Sequence, residues 1–279
     1  MKRRKTPQRA ALRGKRLNYN ASLQIWYRRA IKKLIVKMAD ESESHISKLF
    51  NRIHFEPFGT TDESLGSQAR ILMNSLAEKF DHLFSLESQT LASFMLEKTL
   101  KSSETNIKNS LRELSGGLSL KAGTMSPELT DVVNASIAEN VSLIKSIPQQ
   151  YFKDITGAVM RSVTSGQGMF DLLPQIRKYR NLTERRAELL ALDQTRKAYS
   201  SINAIKLVKR GITHFEWLHS SGGQTPRESH VMMSGKVFSF ENLIAEQQKL
   251  GVPKEDQGMP SYPINCRCTF GPVIELDEE

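Results

Sequence analysis

Cysteine is nearly absent: of 279 residues only Cys266 and Cys268 are cysteines, and one residue separates them. A pair so close encloses no loop worth closing, so disulfides do not hold this fold together. Long apolar runs are also missing. None approaches the roughly 20 residues that a membrane-spanning helix needs, and no apolar signal-peptide core stands behind the basic start. The chain therefore reads as soluble and made in a cytoplasm. There is no glycine-rich phosphate loop and no internal repeat of fixed period, which argues against a P-loop nucleotidase and against a solenoid.

The most informative absence is of acidic residues at the start. Residues 1–39 carry thirteen Lys and Arg and no Asp or Glu, which leaves 27 of the 40 basic side chains against all 30 acidic ones for positions 40–279. A mildly acidic body thus comes after a strongly basic segment. Residues 1–19 have too few apolar side chains to offset the entropy of ordering, so they read as a basic disordered arm. Its cations, Lys2, Arg3, Arg4, Lys5, Arg9, Arg13, Lys15 and Arg16, suit contacts with double-stranded DNA independent of sequence. Such binding asks for a dense row of positive charge and no recognition motif.

The segment after the arm is helical. Leu23, Trp26, Tyr27, Ala30, Ile31, Leu34, Ile35 and Met38 recur at three- and four-residue spacing, placing one apolar stripe opposite a basic face. The pattern resumes from Ile46 to Ile53 and stops in a loop at 55–61. A second helix is expected from Ala69, with a further segment from Leu91 to Leu100 and a glycine cap at Gly116 and Gly117. This makes 20–115 a helical N-terminal region and 116–130 a linker. Helical stripes return over 131–210, with Pro148 at a first turn or kink and Asn181 or Thr183 capping the last helix. From Gly211 the pattern shifts to short segments: strands near Thr213–Leu218, Lys236–Phe240 and Thr269–Leu276 predict a compact α+β module over 211–279. The fold class is mainly α: an elongated helical body with a small C-terminal α+β module.

That module holds both cysteines and three of the six histidines, and four readings of its chemistry compete. Cys266 and Cys268 with His230, completed by His214 or His219, offer zinc the nitrogen and sulfur ligands it prefers, although a one-residue spacing between cysteines is less common in zinc sites. His230 beside Arg227 and Glu228 suits a general base acting on nucleic acid, but no nucleophile, paired carboxylates or phosphate cradle accompany it. A disulfide between neighbouring cysteines would be strained and reducible. The fourth reading is structural: Trp217, Phe238 and the cysteines are core, and His230 and Arg267 satisfy buried polar groups.

Asp193-Gln194-Thr195-Arg196, Gly211-Ile212, Trp217, Arg227-x-Ser229-His230, Gly235-Lys236-Val237 and Tyr262-Pro263-x-x-Cys266-Arg267-Cys268 together resemble the phage head morphogenesis family, the Mu protein F-like minor head proteins, over about 130–275. Trp217, Arg227, Ser229, His230, Gly235, Cys266, Arg267 and Cys268 are the motif residues. One departure is visible: an aspartate common between the tryptophan and the arginine is missing, and Ser220 to Thr225 fill the interval. The resemblance implies a non-enzymatic minor head protein that associates with the portal vertex and with capsid or scaffold protein, in the host cytoplasm during assembly and then in the virion. The basic arm would meet packaged DNA or, instead, an acidic portal or scaffold surface. The eleven residues after Cys268 leave no room for the toxin or enzyme domain that some relatives carry. Two rivals remain: a metal-dependent or His-based enzyme acting on nucleic acid in the C-terminal module, and a membrane-active protein that uses helix 20–38 during DNA entry.

Overall fold

The computed structural model of the chain describes residues 11–55, 64–112, 125–166, 168–222 and 225–275. Among them run four long helices, α1 (Ala21–Phe55), α2 (Leu65–Arg112), α3 (Pro127–Ser165) and α4 (Met169–Val208), then two short ones, α5 (Glu228–Met233) and α6 (Leu243–Lys249). Strands β1 (Ala11–Arg13), β2 (His214–Leu218), β3 (Val237–Ser239) and β4 (Thr269–Glu275) form one antiparallel sheet in the order β1-β4-β2-β3. The expected class, mainly α with a small C-terminal α+β module, is what the chain adopts.

The long helices begin where side chains satisfy their first amides. Asn20 Oδ1 accepts from the Leu23 N–H at 3.0 Å, Ser64 Oγ from Ser67 and Ser126 Oγ from Leu129, each at 3.3 Å. Pro127 fits the first turn of α3, where its missing N–H has no partner to lose. Several breaks expected from the sequence are absent. The two segments expected in 20–53 are the single helix α1, those expected between Ala69 and Leu100 are the single helix α2, and Pro148 lies inside α3. Thr183 does not cap a new helix: inside α4 its hydroxyl donates to the Tyr179 carbonyl at 2.8 Å. Packing of a continuous apolar stripe outweighs these local stop signals. Of the loop expected at 55–61, Phe55 ends α1 and the rest, like the glycine cap at Gly116 and Gly117, lies outside the described residues.

By compactness the described residues divide into two units, one drawn from Met1–Leu23, Leu96–Ser136 and Asp193–Glu279, the other from Gln24–Met95 and Ile137–Leu192. In the second unit four helical segments bury Tyr27, Ile31, Ile35 and Met38 of α1 with Phe80, Phe84, Tyr151, Phe152 and Ile155. Tyr27 donates to Asn140 Oδ1 at 2.8 Å, and burial holds its phenol protonated well above the usual range. The basic face of α1 is answered from α4, with Arg28 on Glu188 at 2.5 Å and Lys32 on Glu184 at 2.8 Å.

The first unit contains the sheet. Alternation along β2 sends Phe215 and Trp217 into a core with Leu17, Met233, Phe238, Cys266, Cys268 and Phe270. Here the expectation that 1–19 form a disordered arm is corrected over its second half. Ala11–Arg13 pairs with β4 in the register Leu12 to Ile274, Leu17 is 1% exposed, and its amide donates to Phe270 at 2.9 Å. The unpaired edge of β4 supplies the hydrogen bonds that the basic sequence does not itself signal. Gly271 permits this closeness, since a Cβ there would stand 2.9 Å from the Gly14 carbonyl oxygen. An ionic cluster lies in the same unit. Glu104 accepts from Arg210 at 2.8 and 3.0 Å and lies 3.4 Å from Lys206, whose ammonium also donates to the Leu100 carbonyl.

Candidate functional site

The motif residues of the C-terminal module converge on one point. Gly235, in the left-handed conformation at φ 79°, turns the chain between α5 and β3, and its amide donates to the Trp217 carbonyl at 2.8 Å. This seats α5 against β2. The α5 helix presents Ser229 and His230, and the residue before it Arg227, to the turn Lys254–Asp256, and all three engage Asp256. Arg227 Nε lies 2.9 Å from Asp256 Oδ1, Ser229 Oγ donates to Oδ2 at 2.6 Å, and His230 Nε2 meets the backbone carbonyl at 3.2 Å. Arg227 also donates to the Ile264 carbonyl at 2.9 Å, which ties α5 to the loop that carries the cysteines. The carboxylate that joins Arg227 and Ser229 thus comes from downstream, at Asp256. Sequence reasoning missed Asp256, whose one weak signal is an acidic pair just after Pro253 and Lys254.

The cysteine loop is held from below by α4. Ser200 donates to the Pro260 carbonyl at 2.6 Å, Ser201 and Tyr262 share a hydroxyl contact at 2.8 Å, and Asp193 Oδ1 accepts from the Asn265 amide at 3.3 Å. Ser261 and Asn265 take positive φ, 76° and 62°, a conformation that non-glycine residues adopt at a cost. The reversal from Pro263 to Cys266 brings Cys266 and Cys268 to the same side. Their sulfurs lie 3.5 and 3.6 Å from His230 Nδ1, and all three residues are buried.

The electrostatics are set by the donors. A carbonyl only accepts, so the Asp256 contact puts the imidazole proton on Nε2 and leaves the Nδ1 lone pair facing both sulfurs. The Cys268 thiol is hydrogen-bonded to Cys266 and draws the Cys266 pKa down to about 4 against the opposing effect of burial. The same hydrogen bond and burial push Cys268 up. The Ser261 amide donates to Cys266 Sγ at 3.4 Å. The Trp217 indole packs edge-on to His230 at 5.2 Å between centroids, and its N–H is buried without a hydrogen-bond partner, where it favours negative charge on Cys268.

Of the sequence candidates, His230, Cys266 and Cys268 come together and the proposed fourth ligands do not. His214 lies on β2 with its Nδ1 at 2.9 Å from the Thr213 hydroxyl, and His219 accepts from the Ser221 amide at 3.1 Å. Arg267 points away to the Gly222 carbonyl at 2.8 Å. Within the basic arm, Arg13 pairs with Glu216 at 2.7 Å, while Arg16 donates to Thr269 at 2.6 Å and to the Leu218 and His219 carbonyls. Lys2, Arg3, Arg4, Lys5 and Arg9 lie outside the described residues.

Residues 153–271 match the family described as Phage Mu protein F like protein. Over those residues the chain is similar to the Mu F-like proteins. The matched residues contain every motif residue just placed, from Asp193 on α4 to Cys268 before β4, so the match covers the whole site. A protein of Haemophilus influenzae, described only as uncharacterized, is 28% identical over 264 residues, which span 92% of this chain and 54% of that protein. The chain thus covers about half the length of the curated relative it matches. No solved structure matches.

Proposed function

We propose that the chain is a non-enzymatic minor head protein of a tailed phage. It associates with the portal vertex and the capsid or scaffold protein during head assembly and resides afterwards in the virion. The observation that carries this reading is the Mu F-like match over 153–271. Two features of the molecule support it. First, the best candidate for chemistry is shut away from substrate: His230 is 3% exposed and the two sulfur-bearing residues 4% and 2%. A general base needs to reach the proton it removes. Second, the apolar stripe of α1 is buried inside the protein, and Arg28 and Lys32 are paired with α4. The surface required for a membrane-active helix is therefore occupied, and among the described residues no helix is long and apolar enough to cross a membrane.

DNA contact is proposed for the first ten residues, through Lys2, Arg3, Arg4, Lys5 and Arg9, because Arg13 and Arg16 are engaged within the fold. Five phosphate contacts give a salt slope of about −4.5, so duplex binding should weaken about 500-fold between 50 and 200 mM salt. The test of the function is co-expression with the portal protein of the same phage, followed by co-purification and cross-linking. A stable complex cross-linked through this chain is expected. Failure to co-purify with portal, capsid or scaffold protein would remove the head-assembly reading.

A further inference from the structure

We propose that His230, Cys266 and Cys268 form a zinc site that clasps α5 to the loop preceding β4. This inference is independent of the portal and of DNA. It starts from distance. Zinc holds thiolate sulfur at about 2.3 Å and imidazole nitrogen at about 2.0–2.1 Å, so a sulfur and a nitrogen at the tetrahedral angle stand about 3.5 Å apart. The separations from His230 Nδ1 are 3.5 Å to Cys266 Sγ and 3.6 Å to Cys268 Sγ. The three ligand atoms are thus placed as if around a common centre, although they come from a helix and a loop 36 and 38 residues apart.

The surroundings favour a cation between them. The histidine is oriented for coordination, because its Nε2–H is fixed on the Asp256 carbonyl and its Nδ1 lone pair is directed at the sulfurs, the outer arrangement typical of a metal-ligating imidazole. Neutral thiols need few hydrogen-bond donors, yet a backbone amide is spent on this pair: Ser261 N–H donates to Cys266 Sγ at 3.4 Å. Such a donor suits a thiolate, and thiolates in an apolar interior require a compensating cation. With the proton that the sulfur pair still holds released to solvent on binding, two thiolates, one neutral imidazole and a divalent ion sum to zero charge, which the surrounding core tolerates. Softness of the ligand set selects zinc over magnesium or calcium. Among the described residues no fourth His, Cys, Asp or Glu joins the group.

The site also accounts for features that packing does not require. The loop adopts positive φ at Ser261 and Asn265 to aim Cys266, and Arg227 and Ser229 anchor Asp256 so that its carbonyl can hold the histidine. These costs are offset if the loop delivers ligands.

The experiment uses the full chain, purified without chelator, and measures metal content and bound cobalt. We expect about one zinc per chain, lost from Cys266→Ser and Cys268→Ser. Replacement of zinc by Co2+ should give the strong visible bands of a tetrahedral site together with thiolate-to-cobalt absorption in the near ultraviolet. The cobalt spectrum of the unaltered chain decides the matter even if the variants fail to fold. A chain that carries no stoichiometric zinc and develops no thiolate–cobalt absorption overturns the proposal. So does retention of the metal in a folded Cys266→Ser, Cys268→Ser double variant, or a purified chain whose two thiols are found joined as a disulfide.

Discussion

Replacing Asp256 by Ala should weaken the C-terminal module by about 3 kcal/mol. The carboxylate accepts from Ser229 at 2.6 Å and pairs with Arg227 at 2.9 Å, and its side chain is only 14% exposed. Hydrogen bonds to a charged group contribute about 1.5–3 kcal/mol each. The Ser229 bond is part-buried and short, so about 2 kcal/mol is assigned to it. The Arg227 side chain is 37% exposed, and solvent screening reduces its share to about 1 kcal/mol. Asp256→Asn keeps an acceptor for Arg227 but loses the charge, and about half the effect is expected. The assay is urea unfolding followed by Trp217 fluorescence in a Trp26→Phe background, because Trp217 is fully buried beside His230 and then reports this module alone. At about 2–4 °C per kcal/mol for a chain approaching this size, the thermal midpoint should fall by about 6–12 °C. A double-mutant cycle with Ser229→Ala locates the cause. Coupling of at least about 1 kcal/mol is expected, whereas additivity within about 0.5 kcal/mol would refute the claim that Asp256 organises the motif through Ser229.

Other outcomes concern the same unit. Glu104→Gln leaves Arg210 and Lys206 facing each other with side chains 10% and 8% exposed; chemical denaturation should show a loss of about 3 kcal/mol. Burial alone would raise the Glu104 pKa, but Arg210 and Lys206 outweigh it and hold the carboxyl below its ordinary value. Its contribution is therefore complete above the unfolded value near about 4.3 and lost as pH falls through the lowered folded one, so the gap between wild type and Glu104→Gln should close in acid. An unchanged gap down to full protonation would contradict this. Gly271→Ala sets a Cβ against the Gly14 carbonyl and should cost about 2 kcal/mol, with amide exchange of Leu12 and Gly14 accelerated before that of β2. Replacing Lys2, Arg3, Arg4, Lys5 and Arg9 by Ala should abolish the salt-sensitive part of duplex binding; equal binding by this variant in a fluorescence-anisotropy titration would remove the arm from DNA contact.

Much of this protein is written in local pattern. Apolar spacing at three and four residues marks the helices, because a stripe of Tyr27, Ile31, Ile35 and Met38 can be buried only on one side of a helix. Period-two alternation marks β2 in the same way, and the charge of residues 1–39 needs no structure to be seen. The motif from Trp217 to Cys268 carries the family resemblance without any geometry. The parts that sequence alone could not decide depend on partners remote in the chain. Arg13 and Arg16 read as mobile DNA contacts, but the edge of β4, more than 250 residues away, takes Ala11–Arg13 as a strand, and the two arginines pair with Glu216 and Thr269. Breaks expected at Pro148 and Thr183 vanish, because stop signals cost a few kcal/mol at most and continuous packing exceeds that. Asp256 could not be told from any exposed acid until α5 was folded against it. Whether His214, His219 or His230 would meet the cysteines was likewise decided by the turn at Gly235 and the reversal at Asn265. Local spacing specifies which face a side chain occupies; only the closure of the sheet over α4 specifies what it faces.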